Sequence, residues 1–373
     1  MSILALQGLL SGFYGLTIGR VAMMVVGGVL IWLAIKHEYE PLLLLPIGLG
    51  CILANLPGTG LLDEGGLLNV LYRAGIDNEL FPSLVFIGIG AMTDFGPLLE
   101  NPKFVLMGAA AQFGIFGTLL LATLFGFNIN QAASIGIIGA ADGPTSIFVA
   151  SKLAPDLVGP ITVAAYSYMS LVPVIQPPVM RVLTTRKERL IRMPYTSREV
   201  SRTSRILFPI VVTLVCALIA PAATALIGML MFGNLVRESG VVERINIAAQ
   251  NEIANIVTTF LGITIGSTMV ADKFLRWETI LIIAMGLVAF TLDTAAGVMF
   301  GKLMNLASGG KVNPLLGGCG ISAFPMSARV VQKLGQEEDQ SNFLLMHAMA
   351  SNTSGQIASV MAGGVVLALL SGG

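Results

Sequence analysis

Apolar residues come along this chain in long blocks separated by short polar clusters. About 20 apolar residues cross a bilayer as a helix. On that length the blocks predict spanning helices near 19–36, 41–57, 80–95, 103–127 and 157–180. A second series follows near 206–220, 223–237, 251–271, 278–303 and 343–371. Between the fourth and fifth member of each series lies a block of another kind. Residues 131–153 and 312–334 are apolar, but Gly and Pro interrupt them near the middle, and the interruption is polar. At a constant offset of 181, Gly136, Gly139, Pro144, Ser146, Lys152 and Leu153 match Gly317, Gly320, Pro325, Ser327, Lys333 and Leu334. Earlier positions keep the register at an offset of 180: Ile47 and Gly48 with Ile227 and Gly228, and Gly60 with Gly240. The strand alternation of a transmembrane barrel is not evident.

The expected fold is an all-α polytopic membrane protein of two repeats, 1–180 and 206–373, joined by a basic linker at 181–205. Each repeat has about five transmembrane helices and a broken re-entrant hairpin, 131–153 in the first and 312–334 in the second. Five crossings per half invert the second repeat relative to the first; hairpins that cross fully leave the two parallel. Charge discriminates, because cytoplasmic loops collect Lys and Arg. The linker carries eight of the 21 Lys and Arg residues, so it is expected in the cytoplasm. Five crossings each way place Lys36, Lys103, Arg237, Arg244, Lys302, Lys311, Arg329 and Lys333 on the same side. Arg20, Arg73, Lys152, Lys273 and Arg276 fall outside, a split of 16 to 5 that favours inversion. Both termini are then extracytoplasmic, and the residues before the first span are a weakly polar lead-in rather than a cleavable signal.

Composition agrees. Hydrophobic residues make up 55% of the 373 and charged residues 11%, which excludes a soluble domain. The 43 glycines and 17 prolines are compatible with membrane helices. The net charge of zero gives no field for a nucleic acid partner. Cys51, Cys216 and Cys319 lie apart in apolar runs and read as buried free thiols. Only two histidines are present, too few for a His-rich metal centre. GxxxxGK[ST], HExxH and GxSxG are all absent, so the chain does not drive transport by its own ATP hydrolysis.

Paired broken segments in the two halves of a membrane protein point to an ion or substrate site at their meeting point. Interrupted helices free carbonyl oxygens, and these with amide and carboxylate oxygens are what a hard cation such as Na⁺ needs in place of water. Asp142, in GAADGPT, is the main candidate. Asp-Gly-Pro is ordinary turn chemistry. A carboxylate at membrane depth, however, costs about 2.5–3.5 kcal/mol or more. Asn313 and Ser322 in the second break, and Asn352 in ASNTSGQ, offer neutral oxygens or interhelical hydrogen bonds. Tyr166 and Tyr168 follow the first break; Tyr168, deeper in its span, is placed to hydrogen-bond Asp142 or relay a proton. Gln176 is expected to repair backbone around Pro177 and Pro178, and Asp94 and Asp272 to cap or be solvated at span ends. Asp293 is a second intramembrane carboxylate, which could join the ion path or pair with a cation. Arg329, half a helix beyond the second break, suits a carboxylate ligand at the cytoplasmic mouth.

At GIIGAADGPTSIF the chain resembles the β subunit of the biotin-dependent sodium-translocating decarboxylases, which act on oxaloacetate, methylmalonyl-CoA or glutaconyl-CoA. EPLLLLPIGLGCILANLP, GIGAMTDFGPLLENP, AAQFGIFG, VAAYSYMSLVPVIQPP, MFGNLVRESGVVER, NPLLGGCGISAFPMSARV and NFLLMHAMASN carry the same resemblance through most of its length. It implies a multi-pass protein of the bacterial cytoplasmic (inner) membrane that decarboxylates carboxybiotin delivered by a partner, consumes an external proton and exports Na⁺. The implied partners are a biotinylated carrier subunit, a carboxyltransferase subunit and a small membrane subunit, around a homo-oligomeric, trimeric core in the bilayer. By motif position the family's key aspartate is Asp142, and its tyrosine, asparagine, serine and arginine positions fall on Tyr168, Asn313, Ser322 and Arg329, with a second asparagine on Asn352. On this reading Asp142, Tyr168 and Arg329 act in the reaction, Arg329 holds the carboxybiotin carboxylate, and Asp142, Asn313, Ser322, Asn352 and freed carbonyls hold Na⁺. The loop after LANLPGTGLLD is shorter than in oxaloacetate-specific members, which leans toward an acyl-CoA substrate, and Asp293 stands where some relatives carry a small residue. A stand-alone sodium/proton antiporter fits the repeat and the aspartate equally well but needs no biotin partner. A passive anchor would need neither Asp142 nor Asp293.

Overall fold

A computed structural model describes residues 15–38, 40–194 and 199–370. The lead-in before residue 15, Arg198 of the basic linker and positions 371–373 lie outside the described residues. Regular structure among the described residues is entirely helical.

The first half holds α1 (Ile18–His37), α2 (Pro41–Asn55), α3 (Leu80–Met92), α4 (Pro102–Leu124), α5 (Ile129–Gly136), α6 (Gly143–Leu153), α7 (Val158–Ser170) and α8 (Val172–Leu183). The second holds α9 (Arg202–Ile219), α10 (Thr224–Ser239), α11 (Ala254–Ser267), α12 (Trp277–Ala307), α13 (Met326–Glu338) and α14 (Leu345–Leu370). Local chemistry sets the boundaries. Thr17 accepts from Arg20 N to start α1, Asn128 and Gln131 form a reciprocal capping box at α5, and Ser201 caps α9. A π-helical turn leads up to the same helix of each half: Arg73–Asp77 before α3, and Ala249–Ile253 before α11.

Among the described residues five helices are long and apolar enough to cross a membrane: α1, α4, α9, α12 and α14. The span expected at 157–180 is instead two helices bent by 69°. The bend falls at Leu171, and Pro173 just beyond it has no N–H to donate and crowds the carbonyl four residues back. α2, α3, α10 and α11 run only 13 to 16 residues. At 1.5 Å per residue that is about 20–24 Å, short of the ~30 Å hydrocarbon core. These four cross in pairs, α2 with α11 and α3 with α10, without Cβ atoms between them at the closest points. A side chain on Gly50 or Gly266 would strike the α11 or α2 backbone, and one on Gly90 or Gly233 the α10 or α3 backbone. The contacts are reciprocal and swapped between halves, the packing that small residues permit in membrane interiors. α9 turns Leu207, Val211, Leu214 and Leu218 outward, and α12 does so with Ile280 and Leu287, giving the apolar perimeter a bilayer requires.

Candidate functional site

The two broken segments meet. In the first, α5 tightens into a 3₁₀ turn at Ile137–Ala140, and Ala141 takes the left-handed conformation at φ 52° before α6 begins. In the second, only the 3₁₀ turn Pro314–Cys319 precedes the break, and α13 follows it. Ser322 N donates to Ala140 O at 2.9 Å, joining the breaks through the backbone.

Asp142 sits at this junction, 4% exposed. It is the N-cap of α6: Oδ1 accepts from Thr145 N at 3.1 Å. Oδ2 accepts from Ser322 Oγ at 3.0 Å and from Ser359 Oγ at 2.6 Å. The same side chain therefore caps a helix and ties the first break to Ser322 of the second. All three partners donate, which suits an ionised, acceptor-only carboxylate. No Lys or Arg pairs with it among the described residues. A buried carboxylate with donors but no fixed counter-charge is costly unless a mobile cation joins it.

Asp142 opens into a cavity of about 490 Å³ that Tyr166, Ser322, Gln356 and Glu40 also line. The Tyr166 ring lies directly on Gly143, where a Cβ would enter it. Tyr168 points elsewhere: its hydroxyl donates to Ile283 O on α12, and its ring packs against Gly286. The hydrogen bond expected between Tyr168 and Asp142 is therefore not made. Residues i and i+2 project about 200° apart on a helix, so only one of the two tyrosines can face the cavity.

Asn352 and Asn313 occupy different places. Asn352 is fully buried on α14 and donates to Cys319 O and Ile321 O, so it holds the second break, and its Oδ1 has no partner among the described residues. Asn313 is not brought to Asp142. Its Oδ1 caps the 3₁₀ turn at Leu315 N, and its Nδ2 donates to Arg189 O and Ile191 O of the linker. The position braces the linker rather than facing the cavity.

Nor are the carbonyls of the second break left free. Gln176 Nε2 donates to Gly318 O at 2.8 Å, Gln112 Nε2 to Gly320 O at 3.1 Å, and Ser351 Oγ to Leu316 O at 2.8 Å. With Asn352 these side chains satisfy the carbonyls an interrupted helix exposes, as buried backbone requires. Gln176 thus repairs the partner break, not its own prolines, and its Oε1 accepts from Ser327 Oγ at 2.8 Å.

Asp293 is fully buried on α12, wedged between Gly114 and Gly139 where no Cβ would fit. Among the described residues it has no cationic partner and neither carboxylate oxygen makes a hydrogen bond, with the backbone amides of Gly114 and Ile115 nearby. Asp94 accepts from Gly96 N at 2.8 Å as a cap. Arg329 lies outside the Asp142 cavity. It lines an open groove on α13 with Gln332, Lys333 and Gln336, and neither Arg329 nor Lys333 makes an ion pair among the described residues. Beside that groove the linker is clamped to the end of α13 by Arg181–Glu337, Arg189–Glu338 and Arg192–Asp339. Hydrogen bonds from Arg189 and from Arg192 hold the Glu338 and Asp339 carboxyls below the usual range.

Sequence reasoning missed Ser359, Gln112 and the bracing role of Gln176. The only signal for Ser359 was a hydroxyl seven residues after Asn352 on the same polar helix, two turns along one face.

Known proteins match this chain throughout. A family model described as Na⁺-transporting oxaloacetate decarboxylase beta subunit covers residues 19–370. The chain is similar to the methylmalonyl-CoA decarboxylase subunit beta of Veillonella parvula, 56% identical over 361 residues, 97% of this chain and 96% of the relative. It is similar to the glutaconyl-CoA decarboxylase subunit beta of Acidaminococcus fermentans, 54% identical over 362 residues with the same coverage of 97% and 96%. The oxaloacetate decarboxylase beta chain of Klebsiella pneumoniae is 47% identical over a longer alignment of 423 residues, covering 97% of each chain. The chain belongs to the family of Na⁺-transporting oxaloacetate decarboxylase beta subunits.

Proposed function

We propose that this chain carries Na⁺ out across the bacterial cytoplasmic membrane as the membrane subunit of a biotin-dependent decarboxylase, with Asp142 as the charged ligand. One observation carries the reading: a buried carboxylate with three donors and no fixed counter-charge, at the junction of two broken segments, opens into a cavity. Ser322 and Ser359 can turn their hydroxyl oxygens to a cation beside Asp142, and Asn352 Oδ1 is the uncommitted neutral oxygen on the same helix as Ser359. Because several carbonyls of the second break are already bonded, side-chain oxygens do most of the work. Asp142 exchanges Na⁺ for a proton from outside, which keeps the site neutral between cycles.

The anionic head of carboxybiotin suits the α13 groove, where Arg329 and Lys333 stand four residues apart on one face with no ion pair among the described residues. When bound, that group supplies the N-carboxyl bond whose cleavage releases CO₂ and drives export. The 16 to 5 charge split and the swapped packing of the halves support inverted repeats with the linker in the cytoplasm. A biotinylated carrier, a carboxyltransferase and a small membrane subunit complete the complex, around a trimeric core of this chain. We place the substrate among acyl-CoA esters. The methylmalonyl-CoA and glutaconyl-CoA relatives are 56% and 54% identical over 361 and 362 residues, against 47% over 423 for the oxaloacetate relative.

Two measurements test this. On monomeric avidin, the chain should elute with a biotinylated subunit; clean flow-through from an intact preparation favours a stand-alone transporter. In the reconstituted complex, Asp142→Asn should abolish sodium-coupled decarboxylation, and undiminished coupling would sink the assignment.

A further inference from the structure

We infer that the Asp142 cavity has a second, outer cation site at its mouth, built on the Glu40 carboxylate with the side-chain amides of Gln250 and Asn255. The inference rests on Asp142 being the inner Na⁺ ligand and adds a residue set on the path to it.

Glu40 joins α1 to α2 and lines the same cavity as Asp142. Several carboxylates at loop contacts are matched by cations: Glu79 by Lys152, Glu188 by Lys302, Glu238 by Arg205, Glu338 by Arg189. The Glu40 backbone carbonyl accepts from Leu43 N and Leu44 N, but its carboxylate has no hydrogen bond and no ion pair among the described residues, and it does not take the cap bond of α2. Its backbone is left-handed, at φ 38° and ψ 61°, a conformation that disfavours any residue with a Cβ. Such a strained position persists where something requires it, and function is the usual requirement. Here it sets a carboxylate against the cavity instead of in solvent. Burial pushes that carboxyl above its ordinary range, and a cation beside it would reverse the shift.

Gln250 and Asn255 line the same cavity. Gln250 lies in the π-helical turn Ala249–Ile253, and Asn255 in the first turn of α11. Gln250 Nε2 is spent on Asn246 Oδ1 at 2.9 Å, which leaves its oxygen as the acceptor. π-turns often mark functional positions because they displace one side chain from the helical register. Tyr166 lies within electrostatic reach of both Glu40 and Asp142, and all three line one cavity. A carboxylate with two amide oxygens suits a partly hydrated monovalent cation. Such a site concentrates Na⁺ at the mouth and strips part of its water before it reaches Asp142.

The test uses the whole complex in proteoliposomes, with decarboxylation and ²²Na⁺ uptake measured against Na⁺ while choline chloride holds ionic strength constant. Glu40→Gln should raise half-saturating Na⁺ about tenfold, equivalent to about 1.4 kcal/mol, with the loss concentrated at low Na⁺. Glu40→Asp should fall between the two. A half-saturation within about twofold of the parent in both variants overturns the outer site. Should Glu40→Gln not assemble, Gln250→Leu and Asn255→Leu carry the test with the same readout: raised half-saturation supports the site and parental values overturn it. Asp142→Asn in the same vesicles separates the two readings. Inactive Asp142→Asn beside parental Glu40 variants removes only the outer site, whereas retained coupling in Asp142→Asn removes the reading beneath it.

Discussion

Replacing Ser359 with alanine removes one of the three hydrogen bonds that hold the Asp142 carboxylate. The Ser359 hydroxyl lies 2.6 Å from Asp142 Oδ2 and 2.9 Å from Gln356 O, and its single proton goes to the charged, nearer acceptor. A hydrogen bond to a charged group contributes about 1.5–3 kcal/mol. Ser322 reaches the same oxygen at 3.0 Å and retains part of the stabilisation, so the lower part of that range applies, about 1.5–2 kcal/mol. That is roughly a 10- to 30-fold change in an equilibrium constant. Ser359 is fully buried, so water does not replace the lost donor easily, and the void left is a single oxygen. The complex carrying Ser359→Ala should still elute from avidin with its biotinylated subunit. Its half-saturating Na⁺ for decarboxylation should rise by roughly 10- to 30-fold. Ser359→Thr, which keeps the hydroxyl, should recover much of the loss. Parental half-saturation and parental rate in Ser359→Ala would refute the claim that this serine holds the site.

Two further expectations concern the frame around the site. Gln176→Leu strands Gly318 O, although Ser327 Oγ remains within 3.2 Å of it, so the cost should be about 1–3 kcal/mol; an unchanged Tm in detergent would show that Gln176 braces nothing. The Glu338 and Asp339 carboxyls sit below their usual range because Arg189 and Arg192 hydrogen-bond to them. A depressed folded pKa gives stability that is complete above the unfolded value, about 4, and is lost as pH falls through the folded one. Protease cleavage in the linker should therefore accelerate below about pH 4, and Arg189→Gln with Arg192→Gln should make it fast at neutral pH; cleavage indifferent to both would remove the clamp.

The order of helices was legible because apolar blocks of spanning length leave little else possible, and the breaks because Gly and Pro interrupt them at matching positions. Asp142 could be read from the cost of its charge at that depth. Partners could not. Ser359 reaches Asp142 across 217 positions of chain, and Gln176 reaches Gly318 across 142, separations at which no local pattern operates. Register within a repeat also says nothing of where a side chain points, which is why Asn313 matched its motif yet turned to the linker. Tyr166 and Tyr168 show the same limit in two residues: helix geometry allows one of them to face the cavity, and the sequence does not say which. Carbonyls freed by a break were expected to meet an ion, but buried backbone finds side-chain amides first when Gln and Asn are near.

The swapped glycine crossings bear on how the protein is made. α2 and α3 are synthesised and inserted long before α11 and α10, whose backbones must lie against Gly50 and Gly90. The early helices therefore wait in the bilayer with their small-residue faces open to lipid, and the cavity takes shape only after the later helices slide in. A ribosome that stops at the linker releases no working half. It releases α2 and α3 without the helices that their glycine faces pack against.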